Sequence, residues 1–209
     1  MKLIHKKEEE IKFMILPVPY YSQKEEAALE KYGSKACGLT SLRMVLAYYG
    51  NTLDMHQLDE LAKRVGAYDE QKGWFHAGLV NIARDLGLSG YRINFSYLSD
   101  QDKANVGVVL ANEGASMEEI NQFMQTFDTA QKSEPDQALE QLLKQKTPII
   151  VSMNEQFAGT TASHLVVIIG KKGERYLIND PWDNGKNYEV DKERFEKTWT
   201  KRAVVVYGK

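Results

Sequence analysis

The sequence predicts an α+β fold, with helices in its first half and an antiparallel sheet in its second. In the first half, apolar residues recur at the three- and four-residue spacing of an amphipathic helix. In the second half, continuous apolar runs rich in valine and isoleucine are typical of strands at the centre of a sheet. A short turn joins two of these runs as in a hairpin, and helices followed by such strands make up the α+β order.

Residues 13–21 come first and are apolar but extended. Pro17 and Pro19 stand at alternate positions, which excludes a helix and a central strand because proline fixes φ and lacks an N–H. The charged residues 1–12 before this stretch are expected to form a solvated tail. Gln23, just after it, has a carboxamide that can donate two hydrogen bonds, although glutamine is also common on solvated surfaces.

The next element is a helix that begins at or just before Cys37, the only cysteine of the chain. Gly50 ends it, as a glycine after the last periodic residue should. Ser34 or Ser41 is expected to cap or steady its first turn. One face of the helix is apolar and is made of residues at i, i+3, i+4 and i+7: Leu42, Val45, Leu46 and Tyr49.

The position of Cys37 favours a reactive thiol. Unpaired N–H groups at a helix N-terminus carry about half a positive charge, which stabilises the thiolate, and the thiolate is the nucleophilic form. Gly38 has no side chain, so a substrate is expected to approach the sulfur and the backbone N–H beside it. The alternative is a small buried residue that happens to be cysteine, and this stretch alone does not decide between the two.

Four further helices are predicted from the same periodicity, at residues 53–65, 77–86, 117–127 and 135–146. Asp54 is the expected N-cap of the first, and Gly87 ends the second. Ser116 starts a capping box at the third. Pro135 stands in the first turn of the fourth, where its missing N–H is tolerated. His76, just before the second of these helices, is interpreted as a capping or packing histidine.

Five strands are predicted, at residues 91–95, 148–153, 164–169, 175–180 and 203–207. Gly170 is expected to end the third strand, and residues 171–174 form the turn of a hairpin with the fourth. The least regular part of the chain, at about 95–133, is interpreted as an insertion that lies over the candidate active site.

Length and composition bound the class of protein. The chain has 209 residues, 43% of them hydrophobic and 27% charged, which fits one globular domain at residues 13–209. A net charge of −2 gives no basic surface for nucleic acid and no polybasic membrane patch. A single cysteine excludes an internal disulfide and a cysteine-based zinc cluster, and no other metal or cofactor is implied.

The sequence also leads to an expectation about location. The first residues contain no apolar segment of a signal peptide, and no apolar run approaches the ~18 residues of a membrane span. A cytoplasmic protein is therefore expected, or an extracellular one if a leader has been removed. The sequence gives no indication of oligomeric state.

His164 and Asp180 are expected to meet at one edge of the predicted hairpin. His164 opens one strand and Asp180 ends its partner, so the two lie across from each other in an antiparallel pair. An activated thiol needs an imidazole to take its proton and a third group to orient that imidazole. Taken singly, His164 is interpreted as an edge histidine and Asp180 with Pro181 as a turn. The joint order of cysteine, histidine and aspartate favours a catalytic triad.

Six short motifs, spread over residues 18–182, support this interpretation. Through them the chain resembles the C39-like cysteine peptidases, a papain-fold group that includes the leader-peptide-cleaving domains of bacteriocin exporters and many free-standing bacterial proteins. The motifs are Val-Pro-Tyr-Tyr-Ser-Gln at 18–23, Ala-Cys-Gly-Leu-Thr-Ser-Leu at 36–42, Gly-Trp at 73–74, Pro-Ile-Ile-Val-Ser at 148–152, Ser-His-Leu-Val-Val at 163–167 and Ile-Asn-Asp-Pro-Trp at 178–182.

The resemblance implies a papain-like fold, with the active site in the groove between a helical half and an antiparallel sheet. It implies a peptide or protein substrate, with Cys37 as nucleophile, His164 as general base and then acid, and Asp180 as the residue that orients the imidazole. Gln23 would supply an oxyanion donor beside the backbone N–H of the cysteine. Asn179 could orient the imidazole instead, but neighbouring strand residues face opposite ways, and Asp180 is favoured.

Two positions depart from the family pattern: Leu39 stands where proline is more common, and Ser163 stands where glycine is. Residues 95–133 have no counterpart. Two other functions stay open at this point, namely an acyl transferase or amidase that uses the same residues, and a non-catalytic peptide-binding module. All four catalytic positions are filled, which argues against the binding module, and the substrate itself is not readable from the sequence.

Overall fold

The computed structural model of the chain describes residues 13–24, 30, 32–95, 135–154, 164–182 and 185–208. The strands, in chain order, are β1 (Phe13–Ile15), β2 (Tyr68–Asp69), β3 (Gly73–Trp74), β4 (Ser89–Asn94), β5 (Ile149–Met153), β6 (His164–Lys172), β7 (Arg175–Asp180), β8 (Gly185–Asp191) and β9 (Trp199–Tyr207). The helices are α1 (Cys37–Tyr48), α2 (Met55–Arg64), α3 (His76–Asp85), α4 (Pro135–Lys144) and α5 (Lys192–Thr198). Among these described residues, no helix has the length and apolar character needed to cross a membrane.

A seven-stranded antiparallel sheet forms the centre of the fold. Six of its strands lie in the order β4-β9-β5-β6-β7-β8, and β1 pairs with the far end of β6. Strands β5 and β6 are buried along nearly their whole length, as their continuous aliphatic sequences predict. Strands β2 and β3 form a separate two-stranded ladder.

The helices pack against this sheet and against each other. α1 lies on β6, α3 lies on β4 and β9, and α2 contacts both α1 and α3. α4 contacts β5 and β6, and α5 contacts β7 and β8. α1 is buried on more than its predicted face, because Leu39 and Met44 are also fully buried. This interior helix therefore fixes Cys37, its first residue, against the middle of the molecule.

Most of the predicted elements are present, with ends that differ by a few residues. The structure confirms the predicted cap of α2. The Asp54 carboxylate accepts from the N–H of Gln57 at 2.8 Å, and Gln57 Oε1 accepts from the N–H of Asp54 at 3.0 Å. This reciprocal pair is a capping box, which satisfies two N–H groups that a helix start leaves without partners.

The prediction that Gly170 ends a strand is wrong. β6 continues to Lys172, with a register shift between Ile168 and Gly170. Glycine is needed for a different reason, since a Cβ at this position would lie 2.1 Å from the carbonyl oxygen of Met14 in β1. The two backbones approach each other too closely for any side chain.

Five of the described elements are absent from the sequence prediction, namely the strands β1, β2, β3 and β8 and the helix α5. α5 carries a signal that sequence reasoning missed, because Asp191 caps it by accepting from the N–H of Arg194 at 2.9 Å. The predicted helix at 117–127 and the tail at 1–12 lie outside the described residues, as does nearly all of the proposed insertion. The assignment of residues 13–209 to one domain stays a prediction.

Replacing Gly170 with alanine should destabilise the protein by about 1–3 kcal/mol, the usual range for overpacking a filled interior. The new methyl group would collide with the carbonyl of Met14 and push β1 away from β6. Urea unfolding followed by circular dichroism measures the change. Gly208→Ala is the matched control, because a Cβ there meets only the Tyr49 ring, at an ordinary 3.5 Å. The control should change stability by less than about 0.5 kcal/mol. A Gly170→Ala variant as stable as the wild type would contradict the close approach.

Candidate active site

Cys37 is the first residue of α1, as the sequence predicts. A 3₁₀ turn at Gly33–Lys35 leads into the helix, the N-cap is Ala36, and no side chain caps the helix. The expected capping by Ser34 is therefore wrong. Cys37 Sγ lies 3.9 Å from the carbonyl oxygen of Lys35, and the residue keeps 6% of its surface exposed. The sulfur thus lies at the positive end of a helix whose N-cap, an alanine, has no side-chain acceptor for the first N–H groups.

A buried hydrogen bond ties the cysteine helix to the strand that carries His164. Ser41 is not a cap either. Its Oγ instead donates to the carbonyl oxygen of Leu165 at 2.9 Å. Ser41 is one helical turn from Cys37, and Leu165 is the neighbour of His164 in β6. This contact joins the helix turn that follows Cys37 to the start of the strand that carries His164.

The structure brings His164 and Asp180 together. His164 Nε2 and Asp180 Oδ1 are 2.6 Å apart, and the two side chains are 0% and 1% exposed. The same carboxylate oxygen accepts from the N–H of Trp182 at 2.8 Å, which fixes the carboxylate in turn. His164 Nδ1, the other ring nitrogen, is buried and has no nitrogen or oxygen partner among the described residues. Asp180 therefore holds one ring nitrogen, and the other ring nitrogen is left for an interaction with the cysteine.

The surroundings of His164 stabilise its protonated form. Burial, the largest influence, lowers the pKa of the imidazole, but hydrogen bonding with Asp180 and Cys37 and the charges of both residues raise it. The balance raises the pKa to about 9. At neutral pH the ring is therefore an imidazolium that interacts with a carboxylate on one side and with the cysteine on the other.

Asn179, the alternative partner of the imidazole, has a different role. Its Nδ2 donates to the carbonyl oxygen of Val18 at 3.3 Å, and its Oδ1 accepts from the N–H of Asn187 at 3.1 Å. The residue is fully buried. It holds the extended N-terminal segment against β7 and β8, and Asp180 is the residue that contacts the ring, as the alternation of strand side chains predicts.

Gln23 is held close to the start of α1. Its backbone N–H donates to the carbonyl oxygen of Pro181 at 2.8 Å, and its Nε2 donates to that of Ser34 at 3.2 Å. The residue is fully buried. A carboxamide has two N–H protons, so Ser34 uses one of them and the other has no partner within the described part of the chain.

The space above Gly38 is filled, which corrects the expectation that it lets a substrate approach. A Cβ at Gly38 would lie 2.4 Å from the ring of Trp74. Trp74 Nε1 donates to the carbonyl oxygen of Lys35 at 2.5 Å, and its ring packs with those of Tyr32 and Tyr68 at 4.9 Å between centroids. The packing of these aromatic rings was not predicted from the sequence, although the Gly-Trp motif at 73–74 indicated a role for the tryptophan.

His76 packs inside the fold and does not cap a helix. The N-cap of α3 is Phe75, and His76 Nε2 lies 2.8 Å from Ser152 Oγ. Burial is the main reason that its pKa is lowered to about 4, and the positive charges of Arg202 and Arg92 lower it further. The packing interpretation made from the sequence therefore agrees with the structure, and the ring is neutral at physiological pH.

The site combines the parts that thiol chemistry requires. A sulfur at a helix start, an imidazolium and a buried carboxylate interact in series, and an amide donor lies near the helix start. This is the arrangement of nucleophile, base and orienting group that acyl transfer uses. Within the ranges that the structure describes, no three histidine, cysteine, aspartate or glutamate side chains group together as metal ligands.

Three solved structures share this fold. A C39-like peptidase from Bacillus anthracis aligns with a TM-score of 0.55 and 21% identity, over 93% of this chain and 98% of that one. A double glycine motif protease from an AMS/PCAT transporter, solved in complex with the leader peptide, has a TM-score of 0.54, 23% identity and coverages of 93% and 94%. The peptidase domain of Streptococcus ComA, a bifunctional ABC transporter in a quorum-sensing pathway, has a TM-score of 0.51, 21% identity and coverages of 84% and 93%. These similarities confirm the predicted papain-like α+β fold.

The sequence of the chain is also matched by a family model. No curated protein is a significant match. The model of the Peptidase_C39 like family, in contrast, matches residues 15–205, which run from the end of β1 into β9 and include every motif on which the resemblance rests. The chain belongs to the Peptidase_C39 like family, and its fold is that of the papain-like cysteine peptidases.

Proposed function

We propose that the protein is a cysteine peptidase that hydrolyses a peptide bond through Cys37, His164 and Asp180. The Cys37 thiolate attacks the carbonyl carbon, and the tetrahedral intermediate collapses to a thioester as the C–N bond breaks. His164, protonated beforehand, gives its proton to the leaving amine. It then takes a proton from the water that hydrolyses the thioester. Asp180 holds the ring in one orientation through both steps.

The buried His164–Asp180 hydrogen bond is the observation that carries this proposal. A carboxylate and an imidazolium removed from water are costly unless they are paired, so a bond of 2.6 Å between them holds both groups in place. The raised pKa of His164 supports a ring that is protonated before the substrate arrives. This is the state that a thiolate needs beside it.

Gln23 is the proposed side-chain donor to the oxyanion of the tetrahedral intermediate. Its Nε2 is already fixed by the carbonyl oxygen of Ser34, so its second N–H proton is preorganised. The backbone N–H of Cys37, at the uncapped start of α1, supplies the second donor. Each such donor typically contributes about 10²–10³ in kcat.

The proposed substrate is a peptide. A double glycine motif protease with this fold was solved in complex with a leader peptide, which supports a peptide as the substrate of the present chain. We propose that the protein cleaves a peptide bond, but we propose no preference for a double glycine motif, because that motif belongs to the related protein.

Cleavage of a proteome-derived peptide library, followed by mass spectrometry of the new termini, tests the proposed hydrolysis. We expect a consistent cleavage pattern from the wild type. Cys37→Ala and His164→Ala should show none, because the first removes the nucleophile and the second removes the proton carrier. Circular dichroism checks that both variants fold.

The products also separate hydrolysis from acyl transfer. With a primary amine added as acceptor, a peptidase should still release mainly free carboxylates, whereas an acyl transferase should release amides. A wild type that cleaves no peptide, or cleavage that survives Cys37→Ala, would rule out the proposed mechanism.

The rate at which iodoacetamide alkylates Cys37 at about pH 6 tests the role of Asp180. An activated thiol should react at least about tenfold faster than free glutathione. Asp180→Ala should slow the reaction, because loss of the carboxylate lowers the pKa of His164 and leaves less imidazolium to stabilise the thiolate. Asn179→Ala is the matched control. Its side chain bonds to Val18 and Asn187 and not to the ring, so the rate should stay within about twofold. An Asp180→Ala rate equal to that of the wild type would show that Asp180 does not support the imidazolium.

A further inference from the structure

A second group of polar side chains lies at the end of the sheet that carries His164 and takes no part in the proposed chemistry. It consists of Arg92 on β4, Arg202 on β9, His76 at the start of α3 and Ser152 on β5. We refer to these four residues as the arginine cluster.

The two arginines project from the same face of the β4–β9 ladder. Arg92 pairs with Val204, and Arg202 pairs with Asn94, so the arginines are diagonal neighbours. Such positions are about 7–8 Å apart, a distance that two long side chains easily span. Both arginines are exposed, and neither guanidinium makes a hydrogen bond or ion pair with any residue that the structure describes.

This lack of an acidic partner sets them apart from other exposed arginines. Arg64 and Arg175 each form an ion pair with a carboxylate, at 2.8 and 3.0 Å. Like charges on neighbouring strands repel each other, and a carboxylate placed between them relieves the repulsion. Arg92 and Arg202 therefore form a positive patch whose charge the described residues leave uncompensated.

The other two members of the cluster are neutral hydrogen-bonding groups beside this charge. His76 Nε2 and Ser152 Oγ are 2.8 Å apart, and Thr200 Oγ1 donates to the Ser152 carbonyl oxygen at 3.0 Å. Thr200 precedes Arg202 by two residues in β9, so this bond joins the serine to the arginine strand. The positive charges of Arg202 and Arg92 reach the His76 ring and help to keep it neutral.

The cluster lies at the end of the sheet where His164 opens β6. The ring of Trp74 packs on the residue that follows Cys37, and His76 is only two residues further along, at most about 7 Å of chain. Ser152 is next to the residue of β5 that pairs with His164. The His76–Ser152 hydrogen bond thus links the segment beside the sulfur with the strand beside the imidazole.

We propose that the arginine cluster is a subsite that binds a carboxylate of the peptide substrate close to the bond that is cleaved. Guanidinium groups present paired N–H donors in the geometry of a carboxylate, and the neutral serine and histidine offer further hydrogen bonds. The ligand is a peptide that has an aspartate or glutamate side chain at a fixed distance from the scissile bond, or one whose own α-carboxylate reaches the arginines. The identity of the ligand as a peptide rests on the proposed function.

Alkylation of Cys37 by paired peptide reagents tests the subsite without requiring hydrolysis. One series carries an iodoacetyl group, then one to three glycines, then a C-terminal Glu or Gln amide. A second series has acetyl-Glu or acetyl-Gln, then glycines, then a chloromethyl ketone, so that it extends in the opposite direction. A third pair, iodoacetyl-Gly-Gly as free acid or amide, reports on an α-carboxylate. Mass spectrometry gives the rate of modification at low ionic strength.

We expect at least one anionic reagent to modify the wild type about fivefold faster than its neutral partner, the gain of a good exposed ion pair. In an Arg92→Gln, Arg202→Gln double variant this ratio should fall by about fivefold, while the neutral reagents keep their rates. Arg175→Gln removes an exposed arginine from β7 and should preserve the wild-type ratio. The wild type and both variants contain His164. Its attraction for an anionic reagent is therefore the same in all of them and does not change the ratio between them. A ratio near 1 for every wild-type pair, or a ratio that the double variant retains, would overturn the subsite.

Failure of the subsite and failure of the proposed function give different results. A protein that shows the arginine-dependent ratio but cleaves no peptide has the subsite and lacks the hydrolysis. A protein that cleaves peptides through Cys37 without the ratio has the hydrolysis and lacks the subsite. A Cys37 that none of the reagents modifies contradicts both.

Discussion

The hydrogen bond from Ser41 to the carbonyl oxygen of Leu165 is the contact on which the geometry of the site depends. It joins the first turns of α1 to the start of β6, across 124 positions of the chain. Both elements are interior, so neither can shift without opening a packed core. Cys37 and His164 are therefore held by buried elements of the fold, and a nucleophile and a base held in a fixed geometry lose little entropy when they react.

The extended N-terminal segment is held at points that lead from the far end of β6 to the end of β7. The N–H of Leu16 donates to Ile169 at 2.7 Å, and that of Gln23 donates to Pro181 at 2.8 Å. Asn179 holds the segment between these two points. Because both prolines keep the segment extended, it reaches from the far end of β6 to the residue that follows β7, and it brings Gln23 to the start of α1. Three parts of the chain that are distant in sequence thus supply the proposed nucleophile, base and oxyanion donor.

Much of this arrangement follows from local patterns in the sequence. The helix start at Cys37 and the meeting of His164 with Asp180 follow from periodicity and from positions at strand ends, which are properties of neighbouring residues. The roles of Gly38 and Gly170 could not be predicted in the same way. Each glycine is needed because a remote part of the chain, the Trp74 ring or the β1 backbone, occupies the space where a Cβ would be. A sequence shows that a side chain is missing, but only tertiary contacts show what fills its place.

His164 and His76 differ in protonation state because different charged groups surround them. Both are largely removed from water, and burial lowers the pKa of each. At His164 a carboxylate and the cysteine reverse this effect, and the pKa is raised to about 9. At His76 the nearby charges are arginines, which act in the same direction as burial, and the pKa is lowered to about 4. At neutral pH only His164 is an imidazolium, so it is the only one of the two that can stabilise a thiolate and donate a proton. His76 stays a neutral hydrogen-bonding group and adds no third positive charge to the arginines beside it.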